Sequence, residues 1–390
     1  MIARPVLIHV QHLLGIGHIA RAAAIARALA ASGVETVVAH GGFPNPNIDF
    51  GGAHMEFLPP VRATDASFQT LVDENDEPLS DDWKARRRDQ LLALFDAVNP
   101  GVLVTELYPF GRKSLRFELE PLIARARGHD PGTWVICSVR DILVTMKKPS
   151  RYAEMADIAN RDYDRIMVHG DPTVISFEST FPYPERIQHL LTYTGYIAQK
   201  QNITTVAGLD EVLVSAGGGG RSEPLYRSAM GARALSALHD HTWRLLIGHG
   251  LPQDRFDVLA DEAPEGVIVE RARPDFTAML DHCALSISQA GYNTVTDILT
   301  AGARSVLVPY AEGGETEQTL RAKYLVERDL ARMVEEPDLT PQSLAAAVES
   351  ALTLNRPDVS GMAMGGVAET VRLLTDWTSN PPKREPSRKR

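Results

Sequence analysis

Short apolar runs rich in Val, Ile and Leu alternate with helix-period segments along the whole 390-residue chain, and no other feature limits the fold so strongly. A strand buried on both faces reads as a continuous apolar run, and parallel strands need a crossover helix, so this alternation implies βαβ units and parallel sheets. In the first half the strand-like runs are residues 6–10, 35–39, 102–105, 134–139 and 165–169. A second series occupies 211–215, 243–247, 267–270, 284–288 and 305–309. One core stops growing well before such a length, which makes two α/β, Rossmann-like domains the expectation. The boundary is expected in the polar stretch 198–208, giving domains at 1–200 and 201–365, then a helix at 366–378 that crosses back to the first domain. The basic, proline-interrupted tail 379–390 reads as disordered.

The helix after the first strand is the clearest. Ile19, Ala22, Ala23, Ile25, Ala26 and Leu29 recur at three- and four-residue spacing, and Ser32-Gly33 ends the pattern. Residues 44–82, rich in Pro, Asp, Asn and Gly, read instead as one long loop with substrate contacts.

Bulk chemistry narrows the function. A formal charge of −10 disfavours a nucleic-acid surface, and no stretch of eighteen apolar residues is present to span a bilayer. The two cysteines, Cys137 and Cys283, lie in apolar runs and read as buried thiols of a reducing compartment, so the expected location is the cytoplasm, with at most peripheral membrane contact. Asp162-Tyr-Asp164 has the D-x-D form of a manganese site, but it precedes its strand and reads as a solvated turn. His239-Asp-His241 has no third ligand at useful spacing. No metal and no cofactor are expected.

Two glycine turns follow strands and open helices. The first, Gly15-Ile-Gly17-His18-Ile-Ala-Arg21, places His18 where a side chain enters the crevice at the carboxyl end of a sheet. A neutral imidazole there can take a proton from an attacking hydroxyl, so His18 is the candidate base. The absence of a third glycine weighs against a dinucleotide fold. The second turn, Ser215-Ala-Gly217-Gly218-Gly219-Gly220, offers bare backbone amides that can hold a diphosphate without a metal. Glu106, in Thr105-Glu-Leu-Tyr-Pro-Phe-Gly-Arg112, and Arg140, in Ser138-Val-Arg-Asp141, also stand at strand ends. Glu106 is a candidate to orient His18 or the acceptor, and Arg140 to hold an acidic acceptor or the departing phosphate, with an ion pair between them as the alternative.

The run Ser286-Ile-Ser-Gln289-Ala-Gly291-Tyr-Asn293-Thr294-Val-Thr-Asp297, followed by Ala301-Gly302 and Ser305-Val-Leu-Val-Pro309, resembles the donor-binding C-terminal domain of family 28 glycosyltransferases. The resemblance covers nearly the whole chain and implies a GT-B fold, two Rossmann-like domains whose parallel sheets face across a cleft. It implies that Gly17, Gly217 to Gly220, Gln289, Gly291, Asn293, Thr294 and Asp297 serve the donor, with Asp297, where the family usually has Glu, on the ribose hydroxyls. It also implies that Glu317 and Gln318, where the family more often has two Gln, meet the donor sugar, and that the His of the first glycine turn is the base. Arg21, where the family has a proline, together with Arg112 and Asp141, falls on the acceptor side. The form G-x-G-H-x-x-R is similar also to UDP-sugar hydrolases that share the fold.

The expected activity is metal-independent, inverting transfer of a sugar from a nucleotide-diphosphate sugar, UDP-linked by resemblance, to a small-molecule or lipid-linked acceptor, with no nucleic-acid partner. A hydrolase in which His18 activates water, and a non-catalytic nucleotide-sugar sensor, are the alternatives.

Overall fold

The computed structural model describes residues 3–13, 17–64, 70–145, 148–198, 203–217, 223–311 and 316–382. The chain divides into two compact units. The first takes residues up to Pro172, then Ser176–Ile197 and the segment from Gly365 onward; the second takes Thr173–Ile175 and Ala198–Met364.

In the first unit the strands are β1 (Val6–Val10), β2 (Thr36–His40), β3 (His54–Phe57), β4 (Arg62–Ala63), β5 (Leu71–Val72), β6 (Val102–Glu106), β7 (Trp134–Arg140), β8 (Arg165–His169) and β9 (Leu191–Tyr193). Seven of them form one parallel sheet in the order β3-β2-β1-β6-β7-β8-β9, while β4 and β5 pair antiparallel apart from it. Helices α1 (Gly17–Ala31), α2 (Asp81–Val98), α3 (Arg116–Arg127), α4 (Ser150–Asp162) and the short α5 (Pro184–Ile187) connect them. The central strands are buried along their length, which is why they read as apolar runs.

The stretch expected as loop contains structure. The edge strand β3 pairs only with β2 and is half-exposed, so it shows neither a continuous apolar run nor a clean alternation. Helix α2 begins where that stretch ends. Ser80 caps it by accepting the Trp83 amide, Asp81 and Asp82 favour its positive end, and Trp83, Arg87, Leu91 and Phe95 form a buried stripe at four-residue spacing.

Arg87 carries its charge into the interior, where Nη2 donates to Glu118 Oε1 and Gln11 Oε1, both at 2.9 Å, and Nη1 donates to the Gly41 carbonyl at 2.8 Å. His9 Nε2 lies 3.2 Å from the same Glu118 oxygen. This buried network ties α2 and α3 to the sheet at β1 and just beyond β2.

The second unit has β10 (Val212–Ser215), β11 (Trp243–Ile247), β12 (Val267–Arg271), β13 (Leu285–Ser288), β14 (Ser305–Leu307) and β15 (Arg332–Met333), all parallel, in the order β12-β11-β10-β13-β14-β15. Its helices are α6 (Glu223–Arg233), α7 (Gln253–Asp261), α8 (Phe276–Leu280), α9 (Tyr292–Ala301), α10 (Glu317–Val326) and α11 (Pro341–Leu352).

The last helix, α12 (Gly366–Ser379), belongs to the first unit. Leu374 and Trp377 join the core of α1, and Trp377 stacks on Trp134 with ring centroids 5.4 Å apart. The alanines of α1 leave room for this approach. A Cβ on Gly366 would stand 2.3 Å from the Gly195 carbonyl oxygen, so the entry to α12 requires glycine. Residues 383–390 of the basic tail lie outside the described residues. No helix among the described residues is long and apolar enough to cross a membrane.

Candidate functional site

In the first sheet, β2 and β6 flank β1, and the chain winds away from β1 in opposite directions on its two sides. Ligands in open α/β sheets bind at such a reversal, beyond the carboxyl ends of the strands. Gly17 and His18 open α1 after β1, and Glu106 ends β6, so sequence-distant residues converge there. Gly15 and Ile16 lie outside the described residues.

His18 Nδ1 is 2.9 Å from Glu106 Oε1. Arg21, one helical turn on, donates to the same oxygen. A carboxylate only accepts, which puts the proton on His18 Nδ1 and leaves Nε2 with a bare lone pair. The other carboxylate oxygen accepts from the Ser138 hydroxyl at 2.8 Å. That hydroxyl, having given its hydrogen away, must accept from His169 Nε2 at 3.0 Å. His169 Nδ1 is then free to accept the Thr194 hydroxyl at 2.8 Å. The chain of bonds crosses β6, β7, β8 and the residue after β9, and every member of it behind Glu106 is buried.

The electrostatics agree with these protonation states. Burial, then the charges of Arg112 and Arg140, push His18 down to about 3 despite its bond to Glu106. Burial would raise Glu106, but Arg21 first, then His18 and Ser138, hold it at about 2. Burial and Arg21 bring His169 to about 3. At neutral pH the site therefore holds two neutral imidazoles and one carboxylate. Burial lowers the Arg112 guanidinium to about 10, with Glu106 opposing this and Arg140 and Arg21 adding to it. Asp141 is buried at the end of β7, and its Oδ1 accepts from the Ile142 amide at 2.9 Å.

The second sheet repeats the reversal at β10, flanked by β11 and β13. Gly217 leaves β10 with φ +67°, a backbone that favours glycine, while Gly218, Gly219 and Gly220 lie outside the described residues. Tyr226 of α6, which carries no sequence signal for this task, secures the turn: its hydroxyl accepts from the Ala216 amide at 3.2 Å and donates to the Leu246 carbonyl at 2.9 Å. The Gln289 amide donates to the Ser215 carbonyl at 3.2 Å, drawing the exit of β13 toward β10. Gly291 then caps α9, whose first turn contains Asn293 and Thr294 and forms the positive end of the helix. Asp297, one turn further along α9, is half-buried and makes no hydrogen bond or ion pair with the described residues. Burial raises its carboxyl to about 7.

Glu317 and Gln318 differ from a pair of side chains open to a sugar. Glu317 is buried, and its Oε1 accepts from Arg321 Nη2 at 2.7 Å; Arg321 Nη1 donates to the Ala290 carbonyl at 2.9 Å. Glu317 and Arg321 thus brace the turn that opens α9. Gln318 Oε1 accepts from the Tyr310 amide at 3.1 Å. Residues 312–315, which precede them, lie outside the described residues.

The D-x-D triplet is a clamp rather than a solvated turn. Asp164 accepts from Arg127 and from the Val135 amide, each at 2.8 Å, and Asp162 pairs with Arg161. Among the described residues no group of three or more His, Cys, Asp or Glu is placed to hold a metal ion. Ser138, His169 and Thr194 came together through topology alone; none of the three carries a spacing that names it as a neighbour of Glu106.

Residues 217–363 match the Glycosyltransferase family 28 C-terminal domain. A UDP-N-acetylglucosamine--N-acetylmuramyl-(pentapeptide) pyrophosphoryl-undecaprenol N-acetylglucosamine transferase of Methylibium petroleiphilum is 38% identical over 99 residues, 25% of this chain and 26% of the relative. The match thus spans about a quarter of that relative's length. Two solved structures share the fold over nearly the full chain. The calicheamicin glycosyltransferase CalG4 has 18% identity and a TM-score of 0.60, covering 97% of this chain and 95% of its own. MurG of Acinetobacter baumannii has 15% identity and a TM-score of 0.56, covering 96% of this chain and 99% of its own. With its two parallel sheets and these structural neighbours, the chain has the GT-B fold, and its residues 217–363 match the family 28 C-terminal domain.

Proposed function

We propose that the chain transfers a sugar from a nucleotide-diphosphate sugar, UDP-linked as in the name of the Methylibium relative, to an acceptor hydroxyl, by direct displacement with inversion and without a metal ion. The observation that carries the reading is the His18–Glu106 pair at the reversal of the first sheet. His18 Nε2 takes the proton of the acceptor hydroxyl as its oxygen bonds to the anomeric carbon. The bond from that carbon to the diphosphate breaks, and its electron pair leaves with the nucleotide. Glu106 steadies the imidazolium that forms. The Gly217 turn and the first turn of α9 supply main-chain amides for the leaving diphosphate, and Asp297 serves the ribose. The buried, unpaired thiols Cys137 and Cys283 support a cytoplasmic setting.

A positioned base contributes roughly 10²–10⁴-fold. His18→Ala should lower turnover by that order while calorimetry finds nucleotide affinity unchanged, and a variant that turns over like the parent removes His18 from the mechanism. Incubation with UDP-sugars alone separates transfer from hydrolysis, since fast release of free sugar without acceptor identifies water as the acceptor.

A further inference from the structure

Helix α9 opens without a side-chain cap, because Gly291 stands at the cap position. A start of that kind gains nothing from its own side chain and depends on what packs against it. Arg321 of α10 does so. Its Nη1 donates to the Ala290 carbonyl at 2.9 Å, and its guanidinium carbon lies 5.7 Å from the centre of the Tyr292 ring. One side chain thus grips the residues on both sides of Gly291. Arg321 is buried, and a buried guanidinium needs an anion. Glu317, itself buried and one helical turn earlier, accepts from Nη2 at 2.7 Å. Acid before base at this spacing is the order that favours a helix.

The Ala290–Gly291 peptide is trans and planar, so its C=O and N–H point in opposite directions. With the carbonyl turned onto Arg321, the Gly291 amide faces away from that side chain. This amide has no hydrogen-bond partner among the described residues, and no atom lies within 4 Å of where a Cβ on Gly291 would stand. Open backbone with an unused donor lets an anion approach closely. Because α10 fixes the direction of the amide before any ligand arrives, the donor spends nothing on reorientation when charge develops in front of it.

We propose that Arg321 is the positioning residue of the leaving-group site. Through the Ala290 carbonyl it aims the Gly291 amide at a phosphate of the nucleotide diphosphate, and Glu317 holds Arg321 in place. The proposal rests on the reading of the α9 turn as the diphosphate site. Arg321 acts through the main chain, so its effect falls on the phosphates and not on the nucleoside.

Calorimetry tests this by titrating uridine and UDP into the parent, Arg321→Lys, Glu317→Gln and the double variant Glu317→Gln/Arg321→Met, which leaves neither charge of the buried pair behind. The ratio of the two affinities reads the diphosphate contribution, while uridine affinity reports an intact domain. In the double variant the ratio should fall about ten- to a hundredfold, the value of one hydrogen bond to a charged group, with uridine affinity unchanged. Arg321→Lys keeps the charge but lacks the fork that spans Ala290 and Glu317, so its ratio should fall in between. Glu317→Gln retains an acceptor oxygen for Arg321 and should keep most of the ratio. Nitrogen-15 resonances of labelled glycine give a second readout. Gly291→Ala assigns the Gly291 amide by its loss, and that resonance should move with UDP but not with uridine in the parent, and stay in place in the double variant. An unchanged ratio in the double variant, or an equal loss of UDP and uridine affinity, overturns the role of Arg321. A parent that binds UDP no better than uridine overturns instead the diphosphate reading on which the proposal stands.

Discussion

Replacing Asp297 by Asn should stabilise the protein in alkali and weaken its hold on nucleotide. Burial lifts this carboxyl from the ordinary 3.8 to about 7, with no partner among the described residues to oppose it. A folded-state value raised in this way means that the group favours the native state fully below about pH 4, and that this contribution is lost as pH rises through 7. At about 1.4 kcal/mol per pH unit, the full gap corresponds to about 4 kcal/mol above pH 8. The side chain is half-buried, and solvent screening reduces this to roughly 1–3 kcal/mol. Asn has the same shape and no charge, so the variant should exceed the parent by that amount at pH 8 and match it near pH 4. Thermal unfolding followed across pH 4–9 reads the effect as a rise on the order of 3–10 °C at the alkaline end. If Asp297 also accepts ribose hydroxyls, the same variant binds UDP more weakly, an exchange of stability for function. A variant less stable than the parent at pH 8, or a difference that does not vary with pH, refutes the reasoning.

Further outcomes follow from the buried networks of the first unit. His169→Leu removes the N–H that orients the Ser138 hydroxyl toward Glu106 and should lower kcat about tenfold with the nucleotide KM unchanged, whereas His169→Gln, which keeps a donor, should recover most of the loss. A purely structural role for His169 predicts no such recovery. Arg87→Met strands Glu118 as a buried charge and should cost about 3–5 kcal/mol in denaturant unfolding. Gly366→Ala forces a methyl into the Gly195 carbonyl and should cost about 1–3 kcal/mol, with hydrogen exchange rising in α12 before the sheet.

What the sequence by itself determined was whatever is local or periodic. Doubly buried strands must be continuous apolar runs, so β1, β6, β7, β10 and β11 were legible to within a residue or two. The glycine turns were legible because a helix start after a buried strand is a local event, and His18 and Asp297 were legible as members of such turns or of the helices they open. Half-exposed edge strands such as β3 and β15 were not, since one-sided pairing imposes no pattern on their residues. Tertiary structure alone decided the rest of the site. Ser138, His169 and Thr194 are linked to Glu106 only because parallel strands bring their carboxyl ends to one edge, and the Glu317–Arg321 pair, itself at a readable helical spacing, is drawn inward by the Ala290 carbonyl, which is distant in the chain. Hydrogen bonds between residues far apart in the chain leave no spacing to read; they exist once the sheet has closed the distance.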